Sequence, residues 1–533
     1  MYSQSFQLSG YEPAWTAEQR GKAENQIAVQ DGENFFWNLR GVQSGFGVLR
    51  TEAQFPVDMR HPSIMWVENR KVIFTGSGAY EVNGTALINF TANVTHAEYD
   101  LGAYKWTYAY VGTRHWFCHP QVNGLVWYDE FDKVWGIYRD DCWTGPNYAV
   151  THADNRLVVL LEDTVIWSKF DEGHIFDCGW HCGSGAQSLA LIRYGQPYSV
   201  MPYNNGWLTF TSKGIMASVP DYGQTLDPDG RRVVAGPFIY RHDEISFDNL
   251  PFGPAAIEHI DEKQVLWLSN TGFWQFSGSQ GGGFGAVQPY APAMGRFYHE
   301  TLVPAMTASG NLLDTFALHY ARDLQWLFVS SRTGLDFGYS RAHVYQTAME
   351  RWGSFNFPHL FIGFGRNDGE IPNQLVYRRH FGTISETGGV VIHDPMKAHV
   401  RAWVKFTPMR LQIPQEDVLV ETMTSVQGIR LGIGSPDAAT VPNASLRSSW
   451  VVDQIDEERH THFHLMVSSG TDATTEWPDE QTYAQQISRT RDIATYSCHS
   501  TGVNHVLTAT ALEPDQHFDI RHIEMSYFFA GVK

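Results

Sequence analysis

The chain has 533 residues and a formal net charge of −19, from 57 acidic and 38 basic side chains. Neither sign forms a long block, which argues against a whole-surface grip on nucleic acid or anionic lipid. Aromatic residues make up 14% and charged residues only 18%, with 48 glycines and 24 prolines scattered rather than clustered, a composition that favours many short strands and turns. No apolar window of about 18 residues occurs, so no membrane anchor is expected. The opening MYSQSFQLSGYEPAW has neither a basic nor an apolar leader pattern, so no export signal is expected. Five cysteines, Cys118, Cys142, Cys178, Cys182 and Cys498, are too few and too odd for a disulfide scaffold and fit free thiols in a reducing cytosol. The Asn-x-Ser/Thr sequons at Asn83, Asn89, Asn93 and Asn443 matter only on a secretory route and are read as chance.

Residues 1–34 are read as an N-terminal arm. Beyond them, two phrases recur. The first, KVIFTGSGAYEV, returns as WLTFTSKGIMAS and VLWLSNTGFWQF: an apolar residue, Ser or Thr, two variable residues, Gly, then apolar and large side chains. Its glycines, Gly78, Gly214 and Gly272, suit a β-hairpin turn that needs φ > 0. Trp267 and Trp274 flank Gly272. In LVVLLEDTVIW, Thr164 replaces the glycine. The second phrase pairs Tyr with Trp across a polar turn. It reads LVWYDEFDKVWGIY with Tyr128 and Trp135, FALHYARDLQWLFV with Tyr320 and Trp326, and VYQTAMERWGSF with Tyr345 and Trp352. Such aromatic pairs across neighbouring strands are worth on the order of 0.2–1 kcal/mol and help to fix register. These nine residues, Tyr128, Trp135, Trp267, Gly272, Trp274, Tyr320, Trp326, Tyr345 and Trp352, are the expected core of the repeat.

Hairpins of the two kinds fall near residues 78, 128, 164, 214, 272, 320 and 345, a spacing in the range of a four-stranded propeller blade. An all-β fold is expected, with residues 35–400 as an irregular β-propeller and a pair of large β-sandwiches as the other architecture. Residues 401–533 read as a separate C-terminal β-rich domain of alternating strands. One helix is expected there, over EWPDEQTYAQQISRTRDI, 476–493.

Four segments raise the question of chemistry. HIFDCGWHCGSG gathers His174, Cys178, His181 and Cys182, donors that zinc uses, but its C-x3-C spacing lacks a second pair, and a packed glycine-rich loop is expected. ERHTHFHLM places His460, His462 and His464 on one face of a strand, where three imidazoles could hold a divalent metal; a solvated polar face is the expectation. SGSQGGGFGAV lacks the lysine of a phosphate-binding loop. DPDGRR, 227–232, is read as a turn, having too few oxygen ligands for calcium. No nucleophile elbow, zinc-protease box or sialidase box occurs. Neither an enzyme nor a cofactor is expected.

The succession VLWLSNTGFWQFSG, PAMGRFYHETLVPA, FALHYARDLQWLFVSSR and HVYQTAMERWGSFNFP resembles consecutive blades of tail nozzle proteins of short-tailed bacteriophages, also called tail tubular protein B or packaged-DNA stabilisation proteins. The likeness covers 265–358 in order and spacing, and 35–400 loosely. It implies a structural virion protein that forms a homo-oligomeric ring, commonly hexameric, below the portal and adaptor proteins. Tail fibres or tip proteins would be neighbours, and genomic double-stranded DNA would pass through the ring without specific binding. It further implies assembly in the bacterial host cytoplasm, and it carries over no catalytic residue. The readings from other classes are a carbohydrate-binding receptor-recognition propeller and a glycosidase-like propeller.

Overall fold

The computed structural model describes residues 1–11, 26–38, 41–68, 70–90, 94–139, 145–169, 187–220, 224–226, 232–234, 240–261, 263–277, 285–290, 302–304, 313–322, 324–332, 338–363, 381–394, 401–411, 422–433, 464–470, 482–490, 493–511 and 518–532. Strands supply nearly all the regular structure among them. Six four-stranded antiparallel sheets, and four consecutive strands of a fifteen-stranded sheet, make seven blades. In chain order they span 63–89, 107–138, 149–190, 197–246, 257–289, 316–355 and 361–394. The outermost strand of the seventh is supplied by Gly47–Gln54, which pairs with Gly389–Asp394 and so fastens the last blade with an early part of the chain.

Seven separate apolar clusters show that the blades form a closed ring, because each joins one blade to the next. Phe74 and Phe117 meet between blades 1 and 2, Trp116 and Val159 between 2 and 3, Trp167 and Trp207 between 3 and 4, and Phe210 and Trp267 between 4 and 5. Leu266 and Leu318 join blades 5 and 6, Phe328 and Phe381 join 6 and 7, and Ile384 and Ile73 close the circle between 7 and 1. A blade buried on both faces requires strands without polar alternation; Arg156–Leu160 and Trp326–Ser331, each buried at every position, meet that need.

The two recurring phrases occupy different places in a blade. The Thr/Ser-x-x-Gly phrase is the turn between the second and third strands. In blade 4 the Thr211 N–H donates to the Gly214 carbonyl at 3.0 Å, and the Gly214 N–H donates to the Thr211 hydroxyl at 3.0 Å. Only Gly272 has the left-handed backbone expected of these glycines, at φ +133°. Gly78 is required for space, since a Cβ there would lie 2.7 Å from the Ile88 carbonyl oxygen. Thr164 can stand in for glycine because the turn needs only its carbonyl, which accepts from the Leu161 N–H at 2.8 Å. The Tyr-to-Trp phrase is the outer hairpin. Tyr128 lies directly opposite Trp135, and Tyr345 opposite Trp352. The tighter version differs: Trp326 faces Ala321 while Tyr320 faces Leu327, on the innermost hairpin of blade 6.

The remaining strands form a closed barrel. Tyr2–Tyr11 pairs in parallel with Gln26–Glu33. Antiparallel pairing then runs through Ala402–Phe406, Asn504–Ala511, His464–Gly470, Thr482–Thr490, Ile493–Gly502, Thr422–Ile433 and Asp519–Val532. The last of these pairs back with Tyr2–Tyr11. Closure leaves no free sheet edge in the barrel wall, and Phe6, Val404, Val426, Leu465, Leu507 and Ile523 fill its interior. Residues 1–34, expected as an arm, therefore furnish two strands of this domain. The helix expected over 476–493 is instead strand from Thr482, because a place in the barrel ladder outweighs local helical preference.

Barrel and propeller are continuous. Phe35–Trp37 pairs with blade 6 through Ser354 and with Val42–Ser44. That strand in turn pairs with Asp519 and Ile520 of the barrel. One apolar cluster runs from Leu268, Leu318 and Trp352 into Phe406, Leu431 and Ile520.

Candidate functional site

The innermost strands of all seven blades surround one central cavity of about 500 Å³. Its lining includes His61, Lys105, Tyr108, Glu258, His319 and Phe361. Lys105 enters just ahead of the first strand of blade 2, Thr107–Val111, and reaches across to blades 5 and 6. Its ammonium donates to the Ile257 carbonyl, the Glu258 carboxylate and the Leu318 carbonyl, each at 2.8 Å. All three of its protons are thus used. Burial pushes the Glu258 carboxyl above its usual range, and Lys105 opposes that shift.

A second tie lies at Asp314, which is fully buried at the start of blade 6. Its carboxylate meets Arg332 at 2.7 Å and, from the entry to blade 1, Arg60 at 3.2 Å and His61 at 3.6 Å. Burial pushes the Asp314 pKa up, and the contacts with His61, Arg60 and Arg332 outweigh it and hold the group below its ordinary value. The Arg332 guanidinium also lies 5.6 Å from the centre of the Tyr339 ring. Burial holds His319 well below the usual imidazole range and His259 at about 4, so both line the cavity as neutral rings. The two ties bind blades that are far apart in sequence, and Lys105 reaches across the central cavity from blade 2 to blades 5 and 6.

Of the residues expected from sequence, Tyr320 lines the central cavity; the aromatic pairs lie in the blade cores. Tyr128 and Trp135 meet with ring centres 4.9 Å apart, and Tyr345 and Trp352 at 5.1 Å. Trp267 lies directly opposite Trp274; it is fully buried and donates to the Asn249 carbonyl at 2.6 Å. Trp326 and Trp352 are buried, whereas Trp135, Trp274 and Tyr320 are only half-buried. Lys105, Asp314 and His61 carry no sequence signal. Their partners stand tens to hundreds of residues away, and no local spacing reports them.

Among the described residues, no group of three or more His, Cys, Asp and Glu is placed to hold a metal. His174, Cys178, His181, Cys182, His460 and His462 lie outside the described residues, as do most of the loops 277–287 and 227–232. His464 opens a barrel strand. The strands on either side of 227–231, Gln224–Leu226 and Arg232–Val234, pair antiparallel. Cys118 and Cys498 are buried thiols.

No family model matches the chain, and no curated protein matches it. Among solved structures it is similar to the Swd1 β-propeller domain of Myceliophteria thermophila, with 8% identity and a TM-score of 0.37 over 66% of this chain and 99% of that one. It is similar also to YCF48 from Cyanidioschyzon merolae, with 11% identity and a TM-score of 0.34 over 65% of this chain and 99% of that one. The likeness is one of fold alone.

Proposed function

We propose that the chain is a structural subunit of a short-tailed bacteriophage tail, a nozzle protein that assembles as a ring of about six copies beneath the portal and its adaptor. The observation that carries this reading is where the resembling stretch falls. Residues 265–358 make up most of blades 5 and 6, the two blades whose core runs on into the barrel. A subunit in which propeller and barrel share one core suits a load-bearing wall. In this reading the duct for DNA lies between subunits, since the propeller's own central cavity, about 500 Å³ and crossed by Lys105, is too small for a duplex.

Tail fibres or tip proteins would attach to the outer faces, and assembly would take place in the host cytoplasm. Six copies carry 6 × −19 = −114 formal charges, so a duct bordered by acidic or neutral surface would let duplex DNA slide without a phosphate grip. Retention of the genome is then steric. We propose no catalytic role. The test is electron microscopy of the purified full-length chain, alone and with the portal and adaptor of its own virus, together with duplex-DNA binding at low salt. Rings with weak or no duplex binding are expected. A chain that stays monomeric in both preparations, or binds duplex with salt-sensitive micromolar affinity, would overturn the reading.

A further inference from the structure

We propose that blade 2 carries a carbohydrate-binding platform, formed by Tyr108, Tyr110 and Phe131, for a neutral oligosaccharide. Tyr108 and Tyr110 lie two residues apart on the innermost strand, so their rings share one face. They are 41% and 40% exposed, and Phe131, next to Glu130 on the turn between the third and fourth strands of the blade, is 86% exposed. Large aromatics exposed on a protein surface offer apolar area for stacking.

Both tyrosyl rings are held in place. The Tyr108 hydroxyl donates to His115 Nδ1 at 2.9 Å. His115 Nε2 then donates to Glu130 at 2.6 Å, and the Tyr110 hydroxyl donates to the other Glu130 oxygen at 2.9 Å. Behind them His115 and Phe117 lie nearly parallel, 10° apart, and Phe117 stacks on Trp135 with centres 5.9 Å apart. The platform therefore rests on the core between blades 1 and 2 and loses little freedom when a ligand binds.

The local charge selects the ligand. Every nearby cation has a carboxylate partner: Lys133 and Arg70 contact Glu68, Arg70 also contacts Glu81 at 3.2 Å, and Arg114 contacts Asp129 at 2.9 Å. Phosphate finds no guanidinium or ammonium waiting for it, while Glu130 presents a carboxylate that sugar hydroxyls can donate to. A flat, polyhydroxylated, uncharged chain fits; a nucleic acid strand, which also stacks on aromatics, is repelled. Of the three, Tyr108 alone lines the central cavity, so its end of the platform lies toward the propeller axis. This inference stands apart from the nozzle reading, since it needs no ring and no tail partner.

The experiment is titration calorimetry of the full-length protein with maltohexaose, cellohexaose and chitohexaose, with a single-stranded oligothymidine of similar length as the competing ligand. Saturable binding of at least one hexasaccharide is expected. Tyr110→Ala and Phe131→Ala should each weaken it by about tenfold, the scale of one lost aromatic contact. Ile192→Ser, at an exposed apolar position just after blade 3, should stay within about threefold of the unaltered protein. Thermal midpoints of the variants check that each remains folded. Failure of all three sugars to bind, binding unaffected by Tyr110→Ala and Phe131→Ala in folded protein, or a preference for the oligothymidine would each overturn the proposal.

Discussion

The Gln346 carboxamide satisfies both main-chain polar groups of Trp37: the Trp37 N–H donates to Gln346 Oε1 at 2.8 Å, and Gln346 Nε2 donates back to the Trp37 carbonyl at 2.8 Å. Both residues are buried. Trp37 belongs to the strand that links barrel to propeller, and its indole N–H donates to the Trp352 carbonyl at 2.7 Å. The outer hairpin of blade 6 thus serves as the socket into which the barrel is plugged.

Gln346→Ala should orphan two buried main-chain groups and cost about 2–6 kcal/mol, at about 1–3 kcal/mol for each group. Gln346→Glu keeps the acceptor and, once protonated, supplies an O–H donor for the Trp37 carbonyl, so at acidic pH it should cost less than Gln346→Ala. Chemical denaturation should show the alanine variant unfolding earlier, with the barrel and propeller transitions separating. A single unshifted transition would mean that the two domains are held together by something other than this socket.

The two outer-hairpin tryptophans should respond unequally. Trp352→Ala removes a buried ring from the shared core and should cost about 3–5 kcal/mol. Trp135 is only half-buried, and Trp135→Ala should cost about half as much. Equal shifts in denaturation midpoint would contradict the burial difference.

Lys105→Met leaves the half-buried Glu258 carboxylate without its cation and takes a donor from two carbonyls, at a cost of about 2–3 kcal/mol, below the range for a fully buried pair. Adding Glu258→Gln should recover a large part of that loss, because the stranded charge is then gone. A double variant as unstable as Lys105→Met alone would show that the tie matters for its hydrogen bonds and not for its charge.

These ties show where the sequence stops being informative. The Thr-x-x-Gly and Tyr-to-Trp phrases are local, their partners being at most seven residues away, and so the blades, their hairpins and the all-β class could be read directly. Seven blades could not be counted, because the two phrases mark different hairpins, blade 6 carries two of them and blade 7 carries neither. The barrel was legible only as alternating strands. Its closure depends on Tyr2–Tyr11 meeting Asp519–Val532, at opposite ends of the chain. The segment 482–490 has helical composition and becomes strand only because two neighbouring strands require it. Lys105, Asp314 and the Tyr108–His115–Glu130 chain are products of folding, and no spacing announces them.

Acid should destabilise the protein through its buried neutral histidines. His359 Nδ1 donates to the Phe357 carbonyl at 2.5 Å, so its Nε2 accepts from the Ser330 hydroxyl at 2.8 Å. Burial lowers its pKa to about 4, and does the same for His505; His119 falls to about 3. In the unfolded chain each takes a proton near pH 6.5. The unfolded state therefore binds more protons from about pH 6.5 down to about pH 4. Stability should be level above that window and fall through it, by about 1.4 kcal/mol per pH unit for each histidine fully engaged. Thermal midpoints from pH 8 to 4.5 should show this, with a shallower acid limb in His359→Gln. A midpoint that rises on acidification would contradict the assignment.

The proposed assembly into a nozzle is tested most directly by cryo-electron microscopy of the full-length chain with the portal and adaptor of its own virus. A closed ring of about six subunits beneath the adaptor is expected. In each propeller Lys105 should bridge blades 2, 5 and 6 across the central cavity, and an acidic or neutral duct should run between subunits on the ring axis. A chain that does not associate with the portal and adaptor, or a ring whose axis is belted by arginine and lysine, would contradict it.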